Sequence, residues 1–164
     1  MKPGISMDIP GFGRLDLRAL LTDYTGTLTL GGQLAPGVQE RLLRLDELLD
    51  IHVLTSDTFG TARRELSGMP VQVVVLEGEN HDVQKARYLH DHFVPRHVAA
   101  LGNGNNDRML LQGVREAGGL AIAVDAGEGC SFETLRQAHV LTRGAAEALD
   151  LLLDSRRLKA TLRF

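Results

Sequence analysis

The sequence predicts an α/β domain built on one doubly wound parallel sheet, with helices on both faces. Three observations point there. Short apolar runs of strand length alternate with segments of helical periodicity, the pattern of right-handed βαβ units. Several of these runs end on polar or acidic residues, at the carboxyl edge where open α/β sheets bind ligands. The length of 164 residues suits a single domain that buries roughly two-thirds of its unfolded surface. Aromatic residues are only 4% of the chain, so Leu, Val, Ile and Ala must supply the core.

Residues 1–17 are expected to precede the core as an extension. Ile5 to Ile9 and Arg14 to Leu17 alternate around Pro10-Gly11-Phe12-Gly13, as a β-hairpin does. Nothing in it is chemical, and its expected role is structural or as an edge for an oligomer. The core is expected over residues 18–153. Arg18 to Thr22 is mostly apolar and reads as a buried strand that delivers Asp23 to the sheet edge. Leu30 to Leu34 is a second, tiny hairpin candidate around Gly31-Gly32.

Pro36 opens a helix, where its missing N–H is harmless, and Val38, Leu42, Leu45 and Leu49 form the apolar face. Ile51 to Thr55 is the next predicted strand, followed by Ser56-Asp57-Thr58 and a helix through Arg64 and Leu66. Val71 to Leu76 is a third strand, and Asn80 to His92 a helix that contains Lys85. His97 to Leu101 is a fourth strand, ending in Gly102-Asn103-Gly104-Asn105-Asn106-Asp107. Arg108 to Ala117 is helical, Leu120 to Val124 a fifth strand, and Val140-Leu141 a short sixth. Ala145 to Leu153 is the last predicted helix, before a basic tail over residues 154–164 that carries Arg156, Arg157 and Lys159.

Composition removes several function classes. A formal charge of −3 without a basic block argues against nucleic acid or an anionic membrane as the partner. Cys130 is the single cysteine, which permits no internal disulfide and fits a reducing compartment. No apolar run has membrane-span length and the first residues lack a signal-peptide core, so a cytoplasmic protein is expected.

Four polar clusters then fall at strand ends or on adjoining helices: Asp23/Thr25, Thr55/Ser56, Lys85 and Asn103/Asp107. A carboxylate at a sheet edge can attack phosphorus and form an aspartyl phosphate. Phosphoryl transfer otherwise needs positioning and charge neutralisation. Each cluster also has a plain structural reading. Asp23 could close an Asx turn, Thr55-Ser56 could cap a helix, and residues 102–107 could be an Asx-rich turn. Lys85 could be a solvated helix lysine, although the other lysines, Lys2 and Lys159, lie near the two ends of the chain. His90 and His92 stand two apart on a predicted helix, so their rings diverge and offer no metal site. Glu77-Gly78-Glu79 and Gly127-Glu128-Gly129 read as surface turns.

Order and spacing add what no cluster carries alone. Asp23-Tyr24-Thr25-Gly26-Thr27-Leu28-Thr29, a strand ending Leu54-Thr55, the isolated Lys85, and Gly102-Asn103-Gly104-Asn105-Asn106-Asp107 resemble the four motifs of the haloacid-dehalogenase superfamily. The first is similar to the phosphorylation motif of P-type ATPases. A response-regulator receiver also combines Asp, Thr and Lys, but there an acidic pair comes first and the phosphoacceptor later. The resemblance implies a haloacid-dehalogenase-like fold and a Mg²⁺-dependent phosphatase, or slow ATPase-like hydrolase, with Asp23 as nucleophile. It implies catalytic roles for Thr25, Thr55 and Lys85, and phosphate contacts from Gly26, Thr55, Ser56 and Lys85. It implies metal contacts from Asp23, Thr25, Asn103 and Asp107. The implied partner is a small phosphorylated substrate, with a homo-oligomer as a further expectation.

Two departures bear on activity. Most phosphatases of the superfamily carry a second aspartate where this chain has Thr25, and threonine cannot titrate near neutral pH. Asn103 stands where the family presents an aspartate to the metal, and its amide oxygen is a weaker ligand than a carboxylate. The segments from Thr27 to Pro36 and from Thr58 to Asn80 leave no room for a cap domain. A second function therefore stays open: a weakly active or inactive domain that binds a partner and regulates through Asp23.

Overall fold

The computed structural model describes residues 1–164. The chain opens with β1 (Ile5–Ile9) and β2 (Gly13–Leu17), an antiparallel hairpin with Ile5 opposite Leu17. Then come β3 (Ala19–Thr22), the two-residue strands β4 (Thr29–Leu30) and β5 (Gln33–Leu34), and α1 (Val38–Asp46). Next are β6 (Asp50–Thr55), α2 (Thr61–Glu65), β7 (Gln72–Val75) and α3 (His81–His92). The second half runs β8 (Val98–Gly102), α4 (Arg108–Glu116), β9 (Leu120–Val124) and α5 (Phe132–Leu135). It closes with β10 (Val140–Thr142), α6 (Ala145–Leu153) and α7 (Ser155–Leu162).

Six strands form one parallel sheet in the order β10-β9-β8-β3-β6-β7. This is the predicted doubly wound architecture. From β3 the chain builds outward through β6 to β7, then crosses back to β8 and continues to β9 and β10. The strand order reverses beside β3, and a crevice opens there at the carboxyl ends of β3 and β8.

Strand alternation divides the core in two. Leu20, Val53, Leu101 and Ile122 belong to the larger cluster, with α1, α6 and α7. Leu21, Leu54, Ala100 and Ala121 face the other way, in a cluster with Leu89 of α3 and Leu110, Leu111 and Val114 of α4. Successive side chains on a strand point to opposite faces, so a run apolar throughout is what a strand covered on both sides requires.

Two expectations change. Residues 154–164 are largely a helix rather than a tail: the Asp154 side chain accepts from Arg156 N at 3.0 Å, and Leu158 and Leu162 are buried. The basic residues occupy the outer face of an amphipathic turn pattern, which masks its period in so short a segment. The hairpin β1–β2 packs its apolar face, with Ile5, Ile9, Leu15 and Leu17, into the larger cluster. Helix α5 was not expected; Ser131 Oγ caps it by accepting from Thr134 N at 3.1 Å. No helix is long and apolar enough to cross a membrane.

Candidate active site

Strand β3 ends at Thr22 because Asp23 turns away from the ladder after one last bond, Asp23 N donating to Leu101 O at 3.2 Å. The chain must then reverse within a few residues. Gly26 adopts a φ of +72°, and any Cβ there would collide with the Asn103 side-chain amide. Glycine is therefore required twice over, for the turn and for the close approach of the β8 loop. The Gly26 N–H donates to Thr29 Oγ1 at 3.1 Å. This bond holds the amide within the turn.

Helix α3 presents Lys85 to the same crevice, buried to 1% exposure. Its Nζ lies 3.0 Å from Asp23 Oδ1 and 2.7 Å from Asp107 Oδ1. The solvated-lysine reading is thereby excluded. Burial on its own would lower the Lys85 pKa, but the adjacent charges of Asp23 and Asp107 outweigh it and raise the pKa above the usual lysine value. Two carboxylates against one ammonium leave an excess negative charge. Burial first, and the Asp107 charge second, push Asp23 up to about 7, with Lys85 opposing both.

Asp107 is fully buried, and its Oδ2 accepts from the N–H groups of Asn103 and Gly104 at 2.9 and 3.1 Å. Both its oxygens are thus engaged within the protein. These bonds fix the carboxylate beside Lys85 and shape the loop after β8, and its remaining lone pairs leave the expected metal contact open to it. A Cβ at position 102 would overlap the Asp107 side chain, so Gly102 makes that packing feasible.

Thr27 connects the two halves of the crevice. Its Oγ1 lies 3.4 Å from Asp23 Oδ2 and 3.1 Å from Asn103 Oδ1, so the Thr27 hydroxyl faces both oxygens. An oxygen-only donor set beside uncompensated negative charge suits a hard cation such as Mg²⁺. Asp23 and Asn103, with Asp107, are the residues that could hold it. Thr27 was not singled out by sequence, although its place in the first motif was a usable signal.

Across the crevice, Thr55 ends β6. Its Oγ1 accepts from Asp57 N at 3.2 Å, which leaves the hydroxyl proton free to donate. Ser56 is exposed beside it, but its amide does not stand at a helix N-terminus as expected. Helix α2 begins five residues later, and Asp57 fills its N-terminal end by accepting from Ala62 N and Arg63 N at 2.8 and 3.2 Å.

Asp23, Thr25, Thr55, Ser56, Lys85 and Asn103 line one cavity of about 230 Å³. His81 and Asn106 join them there, and sequence reasoning missed both. For His81 the signal was its spacing, four residues before Lys85 and hence on the same helix face. Its Nε2 lies 2.9 Å from Gly78 O. The Gly127–Gly129 turn is also nearer the site than expected: Glu128 Oε1 accepts from Gly31 N at 2.8 Å, and Asn103 Nδ2 reaches Gly129 O at 3.4 Å.

No family model matches the chain. The uncharacterized protein MJ0073 of Methanocaldococcus jannaschii is 41% identical over 66 residues, which span 40% of this chain and 67% of that protein. Solved structures are similar over longer stretches at lower identity. A cobalt-bound deoxy-D-mannose-octulosonate 8-phosphate phosphatase from Haemophilus influenzae is 15% identical with a TM-score of 0.62, covering 89% of this chain and 86% of its own. A 3-deoxy-D-manno-octulosonate 8-phosphate phosphatase from Moraxella catarrhalis, in complex with magnesium, phosphate and the sugar acid, gives 18%, 0.61, 84% and 86%. A haloacid dehalogenase-like hydrolase from Streptococcus pneumoniae gives 14%, 0.58, 82% and 97%. The chain therefore belongs to one family with the Methanocaldococcus protein, and its fold is that of the haloacid-dehalogenase superfamily.

Proposed function

We propose that the protein is a Mg²⁺-dependent phosphatase that works through an aspartyl phosphate on Asp23. The observation that carries this reading is the buried Asp23–Lys85–Asp107 arrangement at the strand-order reversal, with Thr55 facing it across a polar cavity. Asp23 Oδ1 is the attacking oxygen, since Oδ2 faces Thr27 and Asn103. The new bond joins Oδ1 to phosphorus as the bond from phosphorus to the leaving oxygen breaks. Lys85 and the Thr55 hydroxyl hold phosphoryl oxygens. Water then attacks phosphorus, releasing inorganic phosphate and a proton and restoring the Asp23 carboxylate. When bound, Mg²⁺ supplies positive charge that offsets the charges of the carboxylate and the phosphoryl group. The Mg²⁺ and cobalt recorded with the phosphatases of the same fold support this cofactor.

The phosphoenzyme is expected to persist. Thr25 offers a hydroxyl where proton removal from water is needed, and general-base help is typically worth ~10²–10⁴-fold. Acid-quenched wild-type protein, incubated with ³²P-labelled acetyl phosphate and Mg²⁺, should carry label on Asp23. Thr25→Asp should shorten the label's lifetime by roughly tenfold or more. The absence of both trapped label and a rate change in that variant would refute the mechanism and leave the partner-binding reading, which the Thr25 and Asn103 departures favour.

Metal activation should require Mg²⁺ approaching millimolar levels, because Asn103 contributes no charge. Asn103→Asp should shift half-activation to roughly tenfold lower Mg²⁺. An unchanged Mg²⁺ titration would remove Asn103 from the metal site.

A further inference from the structure

A second cavity of about 290 Å³ adjoins the first and shares Thr25, Thr55 and Ser56 with it. Its far wall is formed by Thr58, Phe59 and Thr61. Phe59 is 87% exposed, on the loop between β6 and α2. That loop is held in shape: Asp57 adopts a φ of +43°, uncommon outside glycine, and is fixed by its two bonds to α2. An exposed phenyl ring on a fixed loop beside a nucleophile presents a flat apolar surface to whatever the phosphoryl group is attached to.

Charge narrows the occupant. No lysine or arginine lines this second cavity, and its charged lining residue is Asp57, whose carboxylate accepts from the two backbone N–H groups of α2. Behind it, Glu65 accepts from Tyr24 Oη and Leu34 N. A leaving group with its own phosphate or carboxylate would meet acidic groups and no cation.

Reactivity narrows it again. Thr25 cannot protonate a departing oxygen, and the His81 Nε2 is engaged with the Gly78 carbonyl. A leaving group that departs as a stable anion is therefore favoured. A phenol, with a pKa of ~10 as in tyrosine, meets that need far better than an aliphatic alcohol.

We propose that the substrate class is small aryl monophosphates without a second anionic group, the ring stacking on Phe59 in the cavity beside Asp23. This rests on the phosphatase reading of the same site. The aryl phosphate ester is attacked at phosphorus by Asp23, the P–O(aryl) bond breaks, and the aryloxide takes its proton from water.

The test measures kcat/KM for phenyl phosphate, 4-carboxyphenyl phosphate and acetyl phosphate, which is activated but carries no ring. In parallel, calorimetry measures binding of phenyl phosphate and inorganic phosphate to Asp23→Asn. In the wild type, phenyl phosphate should exceed its carboxylated analogue by about tenfold. Phe59→Ala should lower the phenyl-to-acetyl phosphate ratio of kcat/KM about three- to tenfold, and Phe59→Tyr should restore it, as expected of an aromatic contact. The same phenylalanine change should weaken phenyl phosphate relative to inorganic phosphate in the Asp23→Asn background. An unchanged ratio in Phe59→Ala, or equal use of the carboxylated substrate, overturns the aryl assignment while the phosphatase stands. No turnover of any of the three refutes the phosphatase reading instead, and the binding arm then decides the cavity alone: equal affinity for phenyl and inorganic phosphate overturns it.

Discussion

Asp23→Asn is expected to end phosphate release and, at pH 8, to make the metal-free protein more stable than the wild type. On the proposed mechanism, the loss of activity follows from removing the attacking oxygen's charge. The gain in stability follows from the cost of holding that charge. Asp23 is 6% exposed, and its pKa rises from 3.8 to about 7 through burial and the Asp107 charge. A raised folded-state pKa means that the folded protein binds the proton more tightly than the unfolded chain. The group's contribution to stability is then fully present below pH 3.8 and is lost as pH climbs through about 7. Above that range the wild type holds an ionised Asp23 at a cost of a few kcal/mol, while asparagine has no charge to hold. Thermal melts in a chelator should place the variant roughly 5–10 °C higher at pH 8. Near pH 5 the two proteins should converge, because Asp23 is itself protonated in the folded wild type. Millimolar Mg²⁺ should narrow the difference at pH 8 by stabilising the wild type alone. A variant less stable than the wild type at pH 8 would contradict the assigned electrostatics.

Lys85→Met is expected to be the most damaging single change. Methionine fills most of the lysine's volume, so the packing of α3 against the sheet survives and the loss is electrostatic. Asp23 and Asp107 then share a buried site without the cation that each now contacts at 3.0 and 2.7 Å. Breaking a buried ion pair by removing one partner costs roughly 3–5 kcal/mol. The melting temperature should fall by about 10 °C at pH 8. The deficit should shrink on acidification, because two neighbouring carboxylates can relieve their repulsion by taking up a proton. Adding Asp23→Asn to Lys85→Met should recover part of the loss, and a double-mutant cycle measures the coupling. A single variant as stable as the wild type at pH 8 would show that Lys85 does not neutralise the pair.

The sequence by itself determined the layered fold and the sheet edge at which the candidate site lies. Runs such as Leu20-Leu21 and Ala121-Ile122-Ala123 are apolar at every position, a pattern that only a strand covered on both faces tolerates. Helical periodicity between the runs then required parallel crossovers, and the polar residues after Thr22, Leu54 and Leu101 could lie only at the carboxyl ends. Short segments were less legible. One turn of α5 and the two turns of α7 offer too few positions for their period to stand out from the charges around them.

What tertiary structure decided is which partners the polar groups take. The partners of Gly26 N, Asp57 and Asp107 came from the fold: the amide bonds Thr29, Asp57 bonds α2, and Asp107 bonds Lys85 and the loop after β8. Hydrogen-bond partners far apart in sequence are set by packing, and residue type alone does not reveal them. The same holds for Lys85, whose burial between two carboxylates depends on α3 and α4 lying against the small residues Ala100 and Ala121. His81 and Phe59 entered the picture only when the fold placed one on the wall of the crevice and the other beside it. A pattern of residue types locates a sheet edge, but the three-dimensional path of the loops determines which side chains converge there.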